Sequence, residues 1–160
     1  MKKYIVIATN EEKLLLDNII PDHHKYELII TGVGGLNVYE KLAKINRKAQ
    51  IINIGYCGSN WGKIGELYSV KSVQLFHPNC KFDSPKYDLK VDVCGVKKAD
   101  CFTSSDFVIS AGYLKKKALF DMELAFILAM GFKNVISYKV VSDNLNVSQY
   151  EENIEGVKKV

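Results

Sequence analysis

Asn134 to Asn144, NVISYKVVSDN, is rich in β-branched and aromatic residues and stops abruptly at Ser142-Asp143. Such a run reads as a buried strand. The carboxylate at its end then sits where open α/β sheets collect ligands, at the carboxyl ends of parallel strands. Asp143 is therefore a candidate acid. Ser, Asp and Asn are also favoured turn residues, so a simple chain reversal accounts for the same letters.

The surrounding pattern bears on that choice. YIVIA (4–8), YELII (26–30) and IINI (51–54) are further apolar runs, and each gives way to a short polar or glycine-rich segment. These segments are Thr9-Asn10-Glu11-Glu12, Thr31-Gly32-Val33-Gly34 and the expected turn Gly55-Tyr56-Cys57-Gly58. Strands alternating with helical segments are the rhythm of a parallel sheet, and right-handed crossovers bring such strand ends to one edge. The expected result is an α/β fold with one crevice.

At 160 residues and 48% hydrophobic content, one domain over 1–160 with an ample core is expected. No apolar run approaches the roughly 18 residues of a membrane span, and the apolar run after Met1-Lys2-Lys3 is too short for a signal peptide. A cytoplasmic protein is expected. Cys57, Cys80, Cys94 and Cys101 form no C-x-x-C pair and no zinc spacing with His23, His24 or His77, which predicts reduced thiols and no metal site. The net charge of +4 comes from lysine, because Arg47 is the only arginine. Guanidinium forks dominate phosphate and guanine recognition, so a nucleic-acid reader is disfavoured. Arg47 reads as a solvated helix end and Lys115-Lys116-Lys117 as a solvated loop.

Helical spacing predicts helices over Glu11–Ile20, Leu36–Ile45 and about Leu119–Met130. Glu66–Phe76 and Leu89–Gly95 read as extended, with a proline-bearing loop over Pro78–Lys86 between them. Ser148 and Glu151 fit a capping box opening a terminal helix. On the third helix Glu123 would share a face with Ile127 and Met130. A carboxylate there needs a polar partner, such as a hydroxyl-rich ligand, unless it merely complements the helix dipole. Thr9-x-x-Glu12 fits a capping box, which explains Glu12 without chemistry. Gly32-Val33-Gly34-Gly35 lacks the third glycine of a dinucleotide fingerprint, and Gly58–Ile64 is one residue short of a phosphate loop. Neither supports a nucleotide cofactor, and none is expected.

Taken in order, TGVGGLN, IINIGYCG, GELYSV, TSSDFV, DMELAF and VVSDN resemble the nucleoside phosphorylase and nucleosidase superfamily, most closely its 5′-methylthioadenosine/S-adenosylhomocysteine nucleosidase branch. The specific element is Met-Glu before a small apolar helix, followed some twenty residues later by Ser-Asp. The resemblance implies a three-layer sandwich around a mixed, mostly parallel sheet. It implies Asp143 as the acid that protonates the purine at N7, with Ser142 as its hydrogen-bonding neighbour. Glu123 would hold the ribose 2′- and 3′-hydroxyls over Met122, Phe107 and Val108 would meet the base, and Glu12 would activate water. Val33, Tyr56, Cys57 and Gly58 would line the pocket.

Three features depart from the family pattern. The chain is short, Tyr56 replaces a small residue, and SSDFV is one residue tighter than usual. Hydrolysis of a purine nucleoside is the leading reading, because the superfamily's phosphorylases hold phosphate with arginines. Phosphorolysis, a catalytically inactive nucleoside-binding module and a plain assembly subunit are the alternatives. A homodimer is expected from the resemblance. The apolar helix LAFILAM and the stretch Tyr68–Phe76 are also expected to leave apolar surface for a partner.

Overall fold

The computed structural model describes residues 2–90 and 95–158. In chain order the strands are β1 (Lys3–Ile7), β2 (Glu27–Ile30), β3 (Gln50–Ser59), β4 (Leu67–Leu75), β5 (Tyr87–Asp88), β6 (Lys97–Thr103), β7 (Leu119–Asp121) and β8 (Asn134–Asp143). The helices are α1 (Leu16–Ile19), α2 (Gly35–Leu42), α3 (Leu124–Ala129) and α4 (Val147–Lys158), with a 3₁₀ turn over Asn10–Leu15 ahead of α1.

The strands form one mixed sheet flanked by helices. Neighbours β2, β1, β3 and β8 run parallel, so the four apolar runs end at one edge, as expected. Beyond β3 the sheet turns back on itself. β8 pairs antiparallel with β4, β4 runs parallel to β6, β6 runs parallel to β7, and β7 returns antiparallel to β3. Five strands thus pair in a closed circuit. At Gly58 the strand β3 has Phe120 of β7 on one side and Asp143 of β8 on the other.

Both faces are apolar, which is why the strands read as nearly continuous hydrophobic runs. Successive side chains point to opposite faces. Tyr4, Val6 and Ile51 accordingly join the main core under α2 and α3, while Ile5, Ile7, Ile52 and Ile54 pack with Leu16 and Ile20 on the other side. A third cluster, Phe76, Phe102, Val108, Ala118 and Phe120, closes the β6–β7 end. LAFILAM and Tyr68–Phe76 are corrected here. Leu124, Ala125, Ile127, Leu128, Tyr68, Val70, Val73 and Phe76 are all buried within the chain and offer no partner surface.

Several elements differ from the sequence reading for identifiable reasons. Leu119–Asp121 is strand rather than helix, because ladders on both sides override its local propensity. The helix then starts where Asp121 Oδ2 accepts the Leu124 amide at 2.9 Å. Gly55–Gly58 is no turn but the far half of β3, with a register shift at Cys57/Gly58. The first helix is a tight 3₁₀ turn followed by four α-helical residues that stop before Pro21. Ser148 lies inside α4, and Asn146 caps it instead, its Oδ1 accepting the Gln149 amide at 3.0 Å. The strand expected over Leu89–Gly95 falls mostly outside the described residues, and β5 lies just before it. Arg47 is half-buried, with Nε donating to the Met130 carbonyl and Nη1 to that of Ile45. Among the described residues no helix is long and apolar enough to cross a membrane.

Candidate active site

The strand ends line a cleft with about 560 Å³ of empty space, open solvent included, and every residue expected at the site from the sequence lines it. β3 supplies Tyr56, Cys57 and Gly58, and β8 supplies Ser142 and Asp143. The segment between β7 and α3 supplies Met122 and Glu123, and the loop after β6 supplies Phe107 and Val108. Glu12 enters from the 3₁₀ turn and Val33 from the glycine turn before α2.

Glu12 is 6% exposed. Its Oε1 accepts the amides of Ala8 and Thr9 at 2.8 and 3.1 Å, and its Oε2 accepts the Tyr56 amide at 2.8 Å. The capping contact is therefore present, and the bond to Tyr56 reaches across to β3. Gly55 makes room for it: a Cβ there would run into Glu12 Oε2 and lie 3.4 Å from Lys139 Nζ. Burial raises the Glu12 pKa, against the pull of Lys139 and of the three amides.

Glu123 is not on a helix face. With φ −130° it is the residue just before α3, and it turns toward the glycine turn, where Oε2 accepts the Gly34 amide at 2.9 Å. Gly34 has φ +91°, a conformation costly for residues with a Cβ, so the glycine motif serves to aim an amide at a carboxylate. Burial first, then the Asp121 charge, pushes the Glu123 pKa up to about 7.

Beneath both lies a pair that the sequence reading missed. Lys139 is 1% exposed and its Nζ lies 3.0 Å from Asp121 Oδ2. Asp121 also accepts the Thr103 hydroxyl, whose oxygen takes the Ala125 amide at 3.0 Å. Burial would lower the Lys139 pKa, but the surrounding groups, Asp121 foremost, hold it above the ordinary value. The available signal was a lysine inside an otherwise apolar strand run, in alternation with Val135 and Val141.

Asp143, 1% exposed, has the Ser142 hydroxyl 2.8 Å from Oδ1, and its Oδ2 accepts the amides of Leu145 and Asn146 at 2.9 and 3.3 Å. Burial outweighs these hydrogen bonds, and its pKa is raised. Burial also pushes the Cys57 thiol up, so it is no ready nucleophile. Phe107 meets Tyr150 of α4 edge-on, with ring centroids 5.4 Å apart. Tyr150 also lines the cavity and was likewise missed, since its helix carries no family motif. Among the described residues no cluster of three or more His, Cys, Asp or Glu side chains could hold a metal ion.

The whole architecture matches solved structures. A Chlamydia trachomatis MTAN bound to MTA superposes with a TM-score of 0.75 at 16% identity, covering 99% of this chain and 93% of that one. The chain has the nucleosidase fold. A Helicobacter pylori 5′-methylthioadenosine/S-adenosyl homocysteine nucleosidase follows at TM-score 0.68 and 16% identity, with coverage of 98% and 92%. A futalosine hydrolase mutant from the same species gives 0.65 at 15% identity, with 98% and 91% covered. No protein-family model and no curated protein matches the sequence. The nucleosidase fold thus persists here with little sequence in common.

Proposed function

We propose that this chain hydrolyses the N-glycosidic bond of a purine nucleoside, of the 5′-methylthioadenosine/S-adenosylhomocysteine type, releasing free base. The observation that carries the reading is the meeting of Asp143, Glu123 and Glu12 around one cavity, each buried enough to raise its pKa. Breaking this bond builds positive charge on the ribose and negative charge on the departing base. Carboxylates around the sugar and a proton donor at the base therefore act on the transition state.

Asp143, whose hold on a proton burial strengthens, donates one to N7 as the C1′–N9 bond breaks and its electron pair passes to the base. Glu12 takes a proton from water, whose oxygen bonds to C1′. With three amides already on its oxygens, Glu12 has room for about one more donor, which suits a single water. Glu123 accepts hydrogen bonds from the 2′- and 3′-hydroxyls above Met122, and Phe107 stacks on the base beside Val108. Each acid–base contribution is worth roughly 10²–10⁴-fold.

Phosphorolysis is the less favoured reading. Arg47, the only arginine, is committed to the carbonyls of Ile45 and Met130 and lies over the Phe132 ring at 4.9 Å. The fold of H. pylori futalosine hydrolase leaves the nucleoside class open within the hydrolases. The same reading takes 1–160 as a single nucleosidase-like domain, arranged in three layers, working in the cytoplasm as a homodimer. Leu36 and Ile109, 85% and 67% exposed, and half-exposed Val33 at the cavity are among the apolar groups available to the partner.

Chromatography of a nucleoside panel, with and without phosphate, tests the activity. Free base should appear without phosphate. Asp143→Asn should cut turnover about 10²–10⁴-fold with the fold kept, since the amide oxygen can still accept the Leu145 and Asn146 amides. Near-normal turnover in that variant would sink the assignment. Ribose 1-phosphate appearing only with phosphate would select the phosphorylase, and light scattering tests the dimer.

A further inference from the structure

A second cleft lies outside the chemistry above. It holds about 800 Å³ of empty space, open solvent included, and shares no lining residue with the cavity at the strand ends. Its floor is the face of β4 and β6 on which Gln74 stands opposite Phe102. One wall is the loop after β4, with Lys81 and Phe82, and the other is the loop before β7, with Tyr113 and Lys115. Both walls are anchored. The Leu75 amide donates to Ser84 Oγ at 3.1 Å, and Asn60 Nδ2 donates to the Lys116 carbonyl at 2.8 Å. At Gly112, with φ +55°, the second loop passes so close to the Pro78 carbonyl of the first that a Cβ would strike it. Two lysines of the run Lys115-Lys116-Lys117, which the sequence reads as a solvated loop, thus face a cleft.

Lys116 is already engaged there. Its Nζ lies 3.1 Å from Asp100 Oδ2 and 5.2 Å from the centroid of the Phe102 ring. Lys81 and Lys115, by contrast, have no carboxylate partner among the described residues, and the Gln74 amide makes no side-chain hydrogen bond to them. Phe82 and Tyr113 are 44% and 37% exposed. Two open rings and two unneutralised ammonium groups in one concave site match a planar ring that carries an anion. The rings offer faces on which a base can stack, and lysine serves phosphate as a point charge. Asp83 is the one carboxylate in the lining. It opposes a bare polyanion and can accept a hydrogen bond from a sugar hydroxyl. We propose that this cleft binds a nucleoside monophosphate, with the base on Phe82 and Tyr113 and the phosphate at Lys81 and Lys115, separately from the nucleosidase cavity.

Calorimetric titration with AMP and with ribose 5-phosphate, in the presence of excess adenine to fill the nucleosidase cavity, tests the proposal. Wild type should bind AMP about tenfold more tightly than ribose 5-phosphate, which lacks the base. Phe82→Ala should remove that advantage and leave ribose 5-phosphate unchanged. The double variant Lys81→Gln/Lys115→Gln should weaken both ligands about tenfold. All three side chains are exposed, so the variants should melt with wild type. Equal binding of the two phosphates, lost only with the lysines, would mean an adventitious ion only and would overturn the proposal. AMP binding that none of the cleft variants alters would place the nucleotide elsewhere and overturn it too, as would no AMP binding at millimolar concentration. Base release from nucleosides should be the same in wild type and in these variants. Because the Kd values do not depend on turnover, the cleft and the hydrolytic reading stand or fall separately.

Discussion

The two walls of the cavity hold the same residue type in opposite ways. On the 3₁₀ side Glu12 is gripped by three backbone amides from two elements, whereas on the α3 side Glu123 is held by the single amide of Gly34. A carboxylate fixed at three points can aim one water. One fixed at a single point, with a pKa pushed to about 7, keeps capacity to receive a ligand's hydroxyls. On the proposed reading, the task of each glutamate follows from how many amides reach it, and the Lys139 charge acts on both.

The most severe way to break the comparison is Lys139→Met. Removing one partner of a buried pair leaves Asp121 uncompensated close to Glu12 and Glu123, and should cost about 3–5 kcal/mol in urea unfolding at neutral pH. The loss should shrink toward pH 5, where carboxyls of raised pKa take up protons. A loss equal at both pH values would show that packing, not charge, is at stake.

Next come changes confined to the Glu12 wall. Glu12→Gln presents an NH₂ group to backbone amides that can only donate, so turnover should fall about 10²–10⁴-fold while calorimetry still detects nucleoside binding. Gly55→Ala should reproduce this phenotype without replacing a carboxylate, through the collision of its methyl group with Glu12. If riboside binding falls in step with turnover in both variants, the two walls do not have separate roles.

The mildest effect belongs to the other wall. A carboxyl whose pKa is near 7 folded and 4.5 unfolded binds more protons in the folded state between those values, so its contribution to stability falls as pH rises through that window. Glu123→Gln should remove this term. The variant should be more stable than wild type at pH 8, by an amount on the order of 2 kcal/mol, and level with it near pH 4.5. It should also bind ribosides more weakly than wild type while binding free adenine comparably. An unchanged stability difference across pH would contradict the buried carboxylate.

The parallel half of the sheet was legible because its strands are buried on both faces and announce themselves as apolar runs ending in Thr9, Thr31 and Asp143. The family motifs carried Glu12, Glu123 and Asp143 to one edge. β7 was not legible, since three residues of strand beside an apolar run share a helical pattern and only its two ladders decide the matter. Lys139 and Tyr150 were missed for a related reason. A lysine within a strand, or a tyrosine in a terminal helix, gains meaning only from partners distant in sequence, Asp121 in one case and Phe107 in the other.

The closed circuit of strands has a further consequence, best put as a matter of measurement. Adjacent strands are spaced about 4.8 Å apart, and Gly58 stands between Phe120 and Asp143. The distance from β7 to β8 is thus at most about two such steps, under about 10 Å, and less as the circuit curves. A ring of hydrogen-bonded strands cannot widen by one step without gaining a strand or breaking a ladder. The span offered to a ligand is therefore a fixed gauge, and divergence among nucleosides has to be made by what stands on the rim, Tyr56, Phe107 and Tyr150, rather than by the floor.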